Sequence, residues 1–274
     1  MFKLNKYSIY LKTYFYAPHE IKFIKLNLRE SFNHVDRMIL CEFNKNHLGM
    51  DRDFIFHRYS NYFSQDELNK IIYLKCDLSN LVVKAKNSEQ IHQNENLMRG
   101  YFESQMELNK KDIIISVDAD EIIFDQYYDQ LIDHISIFKP AFRLQLNQFF
   151  YKINYLWENE NFVAPTIARV SYYHGKFPGQ WRYDGDLYPE IVGDHFSWCM
   201  TIEEMLEKMR VYGHHYDYQH LIKKETMEEA IKNKTYPFDK NRVFKICELD
   251  FENRKEFYPS SIYSMVDEFQ ELIG

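Results

Sequence analysis

Residues 8–16 alternate apolar and polar positions, and that period of two predicts a first strand. Pro18 then opens a predicted helix to about residue 33, with Ile21, Ile24, Leu28 and Phe32 at helical spacing. Residues 37–43 and 70–75 read as a second and a third strand. Ser88 caps a predicted helix to about residue 109, with Ile91, Met98, Phe102 and Met106 inward. The β-branched run at 112–117 reads as a buried strand. Strands alternating with helices predict an α/β fold, a mostly parallel central sheet flanked by helices.

Beyond residue 122 the pattern loosens. Residues 141–154 are strand-rich and aromatic, whereas 157–193, with Pro165, Pro178, Pro189, Gly175, Gly179 and Gly185, read as loops forming a substrate-binding wall. Thr201-Ile202-Glu203-Glu204 is a capping box that opens a helix to about residue 212. Segments 222–234 and 262–273 complete a helical C-terminal third. With no repeat or long linker, the chain reads as one domain, 1–274: a ligand-binding half (about 1–122), a second half (123–216) and a helical extension (217–274).

The chemistry concentrates where the apolar run stops, at Asp118-Ala119-Asp120-Glu121. Acids at i and i+2 of a strand share a face, about 6–7 Å apart. Two carboxylates that close repel by about 2 kcal/mol at an effective dielectric near 20. A cation beside them relieves that, and Mg²⁺ or Mn²⁺ takes oxygen ligands and bridges to phosphate. The expectation is a metal–diphosphate site at the carboxyl end of a strand, where open α/β sheets bind ligands. The bland alternative is a solvated acidic loop. Glu42 and Asn44, closing the second strand, offer an acceptor and an amide for a nucleobase edge. Arg99 suits a phosphate. His174, His195, His214, His215 and His220 crowd the second half.

Composition narrows the partners. The 274-residue chain carries a net charge of −7, which disfavours generic nucleic-acid binding. Aromatic residues make up 17%, with 22 Tyr and 22 Phe; most belong to a core, and some suit sugar stacking. Cys41, Cys76, Cys199 and Cys247 are scattered without a Cys-x-x-Cys pair, so cysteine-bound zinc is not expected and a reducing compartment is. No signal-peptide pattern and no apolar run of about 18 residues is visible. The sequon at Asn233-Lys234-Thr235 then reads as chance.

In order, these pieces resemble glycosyltransferase family 17, which includes β-1,4-mannosyl-glycoprotein 4-β-N-acetylglucosaminyltransferase. The segment "YLKTYFYAPHEIKFIKLNLRESFNHVDRMILCEFNKNHLG" resembles the family's opening strand, Leu-rich helix and Glu-x-Asn turn. "NENLMR" resembles its Glu-Asn-x-x-Arg helix, "DIIISVDADEI" its Asp-x-Asp-Glu strand, and "GDHFSW" with "EEMLEKMRVYGHH" its later His-bearing segments. Asp194 and Gly213 depart from the family's usual Trp and Ser. The resemblance implies a GT-A fold, a UDP-sugar donor (N-acetylglucosamine first), an oligosaccharide or lipid-linked glycan acceptor, inversion at the anomeric carbon, and Mn²⁺ or Mg²⁺. It implies Asp120 as principal metal ligand and Asp118 at the ribose or metal. His195 or His214 would complete the metal or diphosphate site, and Glu42, Asn44, Asn96 and Arg99 would hold the nucleotide.

One carboxylate must take the acceptor's proton. Asp186, Glu190, Asp194 and Glu121 are candidates, with Glu190 favoured because Pro189 and Ile191-Val192 would partly desolvate it. The rival readings are a haloacid-dehalogenase-type phosphohydrolase, which also uses Asp-x-Asp after a strand, and a non-catalytic saccharide-binding module. The expected location is cytoplasmic; Lys3, Lys6 and Lys12 read first as the edge of the opening strand and at most as weak membrane contacts.

Overall fold

The computed structural model describes residues 7–137, 139–173, 176, 182, 184–239 and 241–274. The strands are β1 (Ile9–Phe15), β2 (Arg37–Phe43), β3 (Ile71–Cys76), β4 (Ile113–Ser116), β5 (Glu121–Ile123), β6 (Ala141–Phe150), β7 (Tyr155–Arg169), β8 (Asp186–Ser197) and β9 (Ile246–Glu248). The helices are α1 (Ile21–Ser31), α2 (Gln65–Lys70), α3 (Ser88–Gly100), α4 (Tyr128–Ile137), α5 (Val170–Tyr173), α6 (Ile202–Val211), α7 (His215–Tyr218), α8 (Lys224–Asn233) and α9 (Val266–Phe269). One sheet runs β3-β2-β1-β4-β7-β6-β8-β5, with β9 beside β7. This is the expected α/β arrangement. Strands β3, β2, β1 and β4 are all parallel, as is the β6–β8 pair; antiparallel pairs appear where β7 joins β4 and β6 and where β5 joins β8.

Strand periodicity sorts the core onto two faces. Ile113 and Ile115 pack with Ile24 and Leu28 of α1 and Leu131 and Ile135 of α4, while Ile114 packs with Met98 of α3 and Phe102. All three isoleucines of β4 are fully buried, as a strand covered on both sides requires. The chain after α8 returns to the core: Leu249, Phe251, Phe269 and Leu272 pack on Phe23, Leu26, Phe149 and Phe196.

Three sequence expectations change. Residues 157–193 are largely strand, because long β7 and β8 both pair with β6. Pro165 and Pro189 misled the reading. Each falls between consecutive register partners, where the pairing with β6 slips and a missing N–H is tolerated. The third helix stops at Gly100 and continues as a 3-10 turn, Tyr101–Gln105. Finally, β4 ends at Ser116, so Asp118 and Asp120 sit on the turn before β5 and not on a strand face. Lys12, read as part of the first strand and at most as a weak membrane contact, lies within β1 and is only 1% exposed; Lys3 and Lys6 lie outside the described residues, as do His174, Gly175, Pro178 and Gly179.

Candidate active-site cleft

A cleft opens at the carboxyl ends of β1 and β4, the usual ligand edge of an α/β sheet. Tyr14, Tyr16 and Glu20 come from β1 and the turn after it, and His47 from the loop after β2. Glu95 and Arg99 come from α3, Asp118 to Asp120 from the β4–β5 turn, Lys208 from the last turn of α6, and Tyr212, Gly213 and His214 from the segment after it. The capping box that launches α6 forms as expected, with Thr201 Oγ1 accepting from the Glu204 amide at 3.3 Å and the Thr201 amide donating to Glu204 at 2.8 Å.

Asp118 is held by arginine. Arg99 donates to both of its oxygens, at 2.7 and 3.1 Å, and Arg182 Nη1 lies 2.7 Å from Oδ1. Arg99 also donates to Glu95 at 2.8 Å, and Arg182 pairs with the fully buried Glu121. Burial alone would raise the pKa of Asp118, but Arg182 and Arg99 outweigh it and keep the carboxyl well below the usual range. Glu95 has the same balance, with burial overridden by Arg99. The other oxygen of Glu121 accepts from the Asp118 amide, at 2.7 Å, bracing the turn. Burial, with Asp118 and Asp120 nearby, raises the pKa of Glu121 against the pull of Arg182.

Asp120 is placed differently. Its contacts are looser: His195 Nε2 at 3.8 Å and Lys208 Nζ at 3.7 Å. His195 is buried against the Phe162 ring, its Nδ1 has no hydrogen-bond partner among the described residues, and burial lowers its pKa to about 4. Gly193, two residues earlier, is required by packing, since a Cβ there would stand 2.0 Å from the Ile122 carbonyl oxygen on β5.

A divalent cation fits Asp120 in part. Asp120 Oδ1 and His195 Nε2 converge within 3.8 Å, an oxygen and an imidazole donor suited to Mn²⁺. No group of three His, Cys, Asp or Glu donors is found among the described residues. Oxygens of a diphosphate and water would complete the shell, as hard divalent sites commonly arrange. Asp118 is committed to its arginines in this structure.

The remaining predicted site residues divide clearly. His214 lines the cleft, with Nδ1 3.0 Å from Asp217. Glu42 and Asn44 do scaffold work. Glu42 is fully buried and accepts from the amides of Ile55 and Phe56 and from Tyr73 Oη, at 2.7, 3.1 and 2.5 Å. Asn44 ties Asp77, Ser79 and the Leu78 amide together. Strand β1 separates their strand from β4 and Asp118. Asn96 is half-buried on α3, outside the cleft lining. Glu190 is exposed, 3.4 Å from Gln130, so the desolvation expected of it is absent. Asp186 pairs with Lys139, and Asp194 is buried and accepts from Asn147 at 3.0 Å.

Sequence reading missed Glu20, Arg182, Lys208 and the aromatic wall of Tyr14, Tyr16 and His47. Tyr16 stacks on Phe43 with centroids 5.6 Å apart and meets His47 edge-on at 4.8 Å. Glu20 accepts from the amides of Tyr16 and Ala17, at 2.6 and 3.1 Å, and burial raises its pKa to about 7.

The sequence profile of glycosyltransferase family 17 matches residues 13–239. Among curated proteins, none matches significantly. Solved structures that resemble the chain include a 4-diphosphocytidyl-2C-methyl-D-erythritol synthase, 10% identical, with 69% of this chain and 90% of that one covered at a TM-score of 0.42. The corresponding synthase of Anaerococcus prevotii is 13% identical, with 68% and 89% covered at 0.37.

Proposed function

The chain belongs to glycosyltransferase family 17, and from that premise we propose that it is an inverting, cation-assisted transferase acting on a UDP-sugar, N-acetylglucosamine first, and a glycan hydroxyl. The observation that carries this reading is the division of labour in the Asp-x-Asp turn. Asp118 is locked by Arg99 and Arg182, while Asp120 faces the cleft beside His195 and Lys208.

In this reading the nucleobase lies against the Tyr16 and His47 side chains that line the cleft. The diphosphate lies over Asp120. A divalent cation held by Asp120, with His195 as a second donor, would neutralise charge on the leaving group. The acceptor oxygen attacks the anomeric carbon as its bond to the diphosphate oxygen breaks. The electron pair leaves with the nucleoside diphosphate, and the hydroxyl proton passes to a carboxylate. Glu20 replaces Glu190 as the candidate base, because it lines the cleft and its raised pKa suits proton uptake near neutrality. The chain's own cations, Arg99 and Lys208, add positive charge where negative charge develops.

A phosphohydrolase would need Asp118 as a free nucleophile, and both its oxygens are occupied. The four cysteines are free, and no helix among the described residues is long and apolar enough to cross a membrane. The free thiols suit the proposed cytoplasmic setting, where a lipid-linked glycan is the proposed acceptor class. The test is a hydrolysis and transfer screen over nucleotide sugars with Mn²⁺. Turnover of UDP-N-acetylglucosamine is the expected result; inertness toward every UDP-sugar would sink the proposal.

A further inference from the structure

Lys208 is the cleft cation with the loosest ties. Arg99 is committed to Glu95 and Asp118, and Arg182 is buried between Asp118 and Glu121. Lys208, on the last turn of α6, has its Nζ 3.7 Å from Asp120 Oδ2 and 5.3 Å from the Trp198 ring centroid. Among the described residues it makes no shorter polar contact, and its side chain is 26% exposed. It therefore stands on the carboxylate that the transferase reading assigns to a divalent cation. Two positive groups on one partly exposed carboxylate repel each other and compete.

We propose that Lys208 is an exchangeable partner of Asp120, pairing with that carboxylate as seen here and moving to the donor's diphosphate when nucleotide and cation bind together. The proposal rests on the transferase reading, since the exchange needs a diphosphate to receive the lysine. Lysine suits such an exchange, being a compact charge on a flexible stem with three donors for phosphate. The Trp198 face lends the moving ammonium a second attractive surface. The two arginines do not suit it, because each fork is fixed between two carboxylates. One consequence is mutual dependence. A cation binding alone must displace Lys208 from Asp120, whereas with a diphosphate present the lysine gains a new partner. By linkage, each ligand then raises the other's affinity.

The experiment is isothermal titration of the full chain with Mn²⁺ alone and with UDP at saturating Mn²⁺. It compares wild type with Lys208→Met, Lys208→Gln and Lys208→Arg, and circular dichroism monitors the fold. The neutral variants should bind Mn²⁺ alone roughly tenfold more tightly and UDP roughly tenfold more weakly, while the arginine variant keeps UDP affinity within about threefold. This opposite movement of two affinities is the signature of exchange. Unchanged Mn²⁺ affinity in folded neutral variants, or a fall in both affinities together, overturns it; the second result marks a residue that merely props the site. A wild-type chain that binds no nucleoside diphosphate removes the transferase reading itself. UDP binding indifferent to Lys208 removes only the exchange.

Discussion

Arg182 Nη1 stands 2.7 Å from Asp118 Oδ1, and the same guanidinium pairs with Glu121 at the start of β5. One side chain from the segment before β8 thus ties together both ends of the acidic turn. Two acids of this motif are neutralised by the protein itself, before any ligand is considered.

Asp118→Asn should therefore act mainly on stability. It leaves Arg182 buried with half its partners and Arg99 with Glu95 alone. Losing one member of a buried ion cluster commonly costs about 3–5 kcal/mol, and partial exposure of Asp118 places this case at the lower end, about 3 kcal/mol. Urea unfolding of wild type and variant measures it. A loss under about 1 kcal/mol would mean that the arginines find other partners.

Asp120→Asn should behave oppositely. Among the described residues its side chain has no tight partner, so unfolding should shift by less than about 1 kcal/mol. Transfer should fall by about 10²–10³, the usual worth of an oriented charge at a leaving group. Retention of more than about a tenth of wild-type turnover counts against Asp120 as the ligand of a catalytic cation.

The contrast between these two acids also marks how far the sequence could be read. The apolar run into Asp118 located β4 and the edge of the sheet where the cleft opens, because strand burial is written in local composition. The roles of the acids were not legible. Asp118 depends on Arg182, 64 positions away in sequence, and Asp120 on Lys208, 88 positions away. No local pattern records such pairings. Glu42 misled for a related reason: a polar residue at a strand end looks the same whether it faces ligand or caps the Ile55 and Phe56 amides. Glu20 was hidden in the turn that opens α1, where an acid is ordinary helix-start chemistry.

UDP with Mn²⁺ should raise the melting temperature. At 100 times the dissociation constant the gain is about 2.7 kcal/mol. Excess chelator should remove most of it and leave a smaller shift carried by Lys208 and Arg99. Scanning fluorimetry with the three mixtures decides. Equal stabilisation with and without chelator would show that no bridging cation is needed.

The last prediction concerns Glu20. Burial raises its pKa to about 7, so below that pH the carboxyl holds a proton and cannot accept one from the acceptor hydroxyl. The value of kcat/KM should fall as pH drops through about 7, and Glu20→Gln should be slow at every pH, without that limb. Glu190→Gln, altering an exposed residue outside the cleft, should keep both the rate and the limb. Stability gives an independent reading. An acid whose folded pKa lies above its unfolded value, here about 7 against 4.5, binds its proton more tightly when folded. Its contribution is complete below 4.5 and is lost as pH rises through about 7. Replacing Glu20 by Gln should therefore flatten the decline of unfolding free energy between those two values. Part of the slope will remain, because burial also raises Glu103 and Glu121 to about 7 and Asp194 well above its ordinary range. A limb that persists unchanged in Glu20→Gln, with a wild-type rate above it, would move the base to another side chain and leave Glu20 as the cap of the Tyr16 and Ala17 amides.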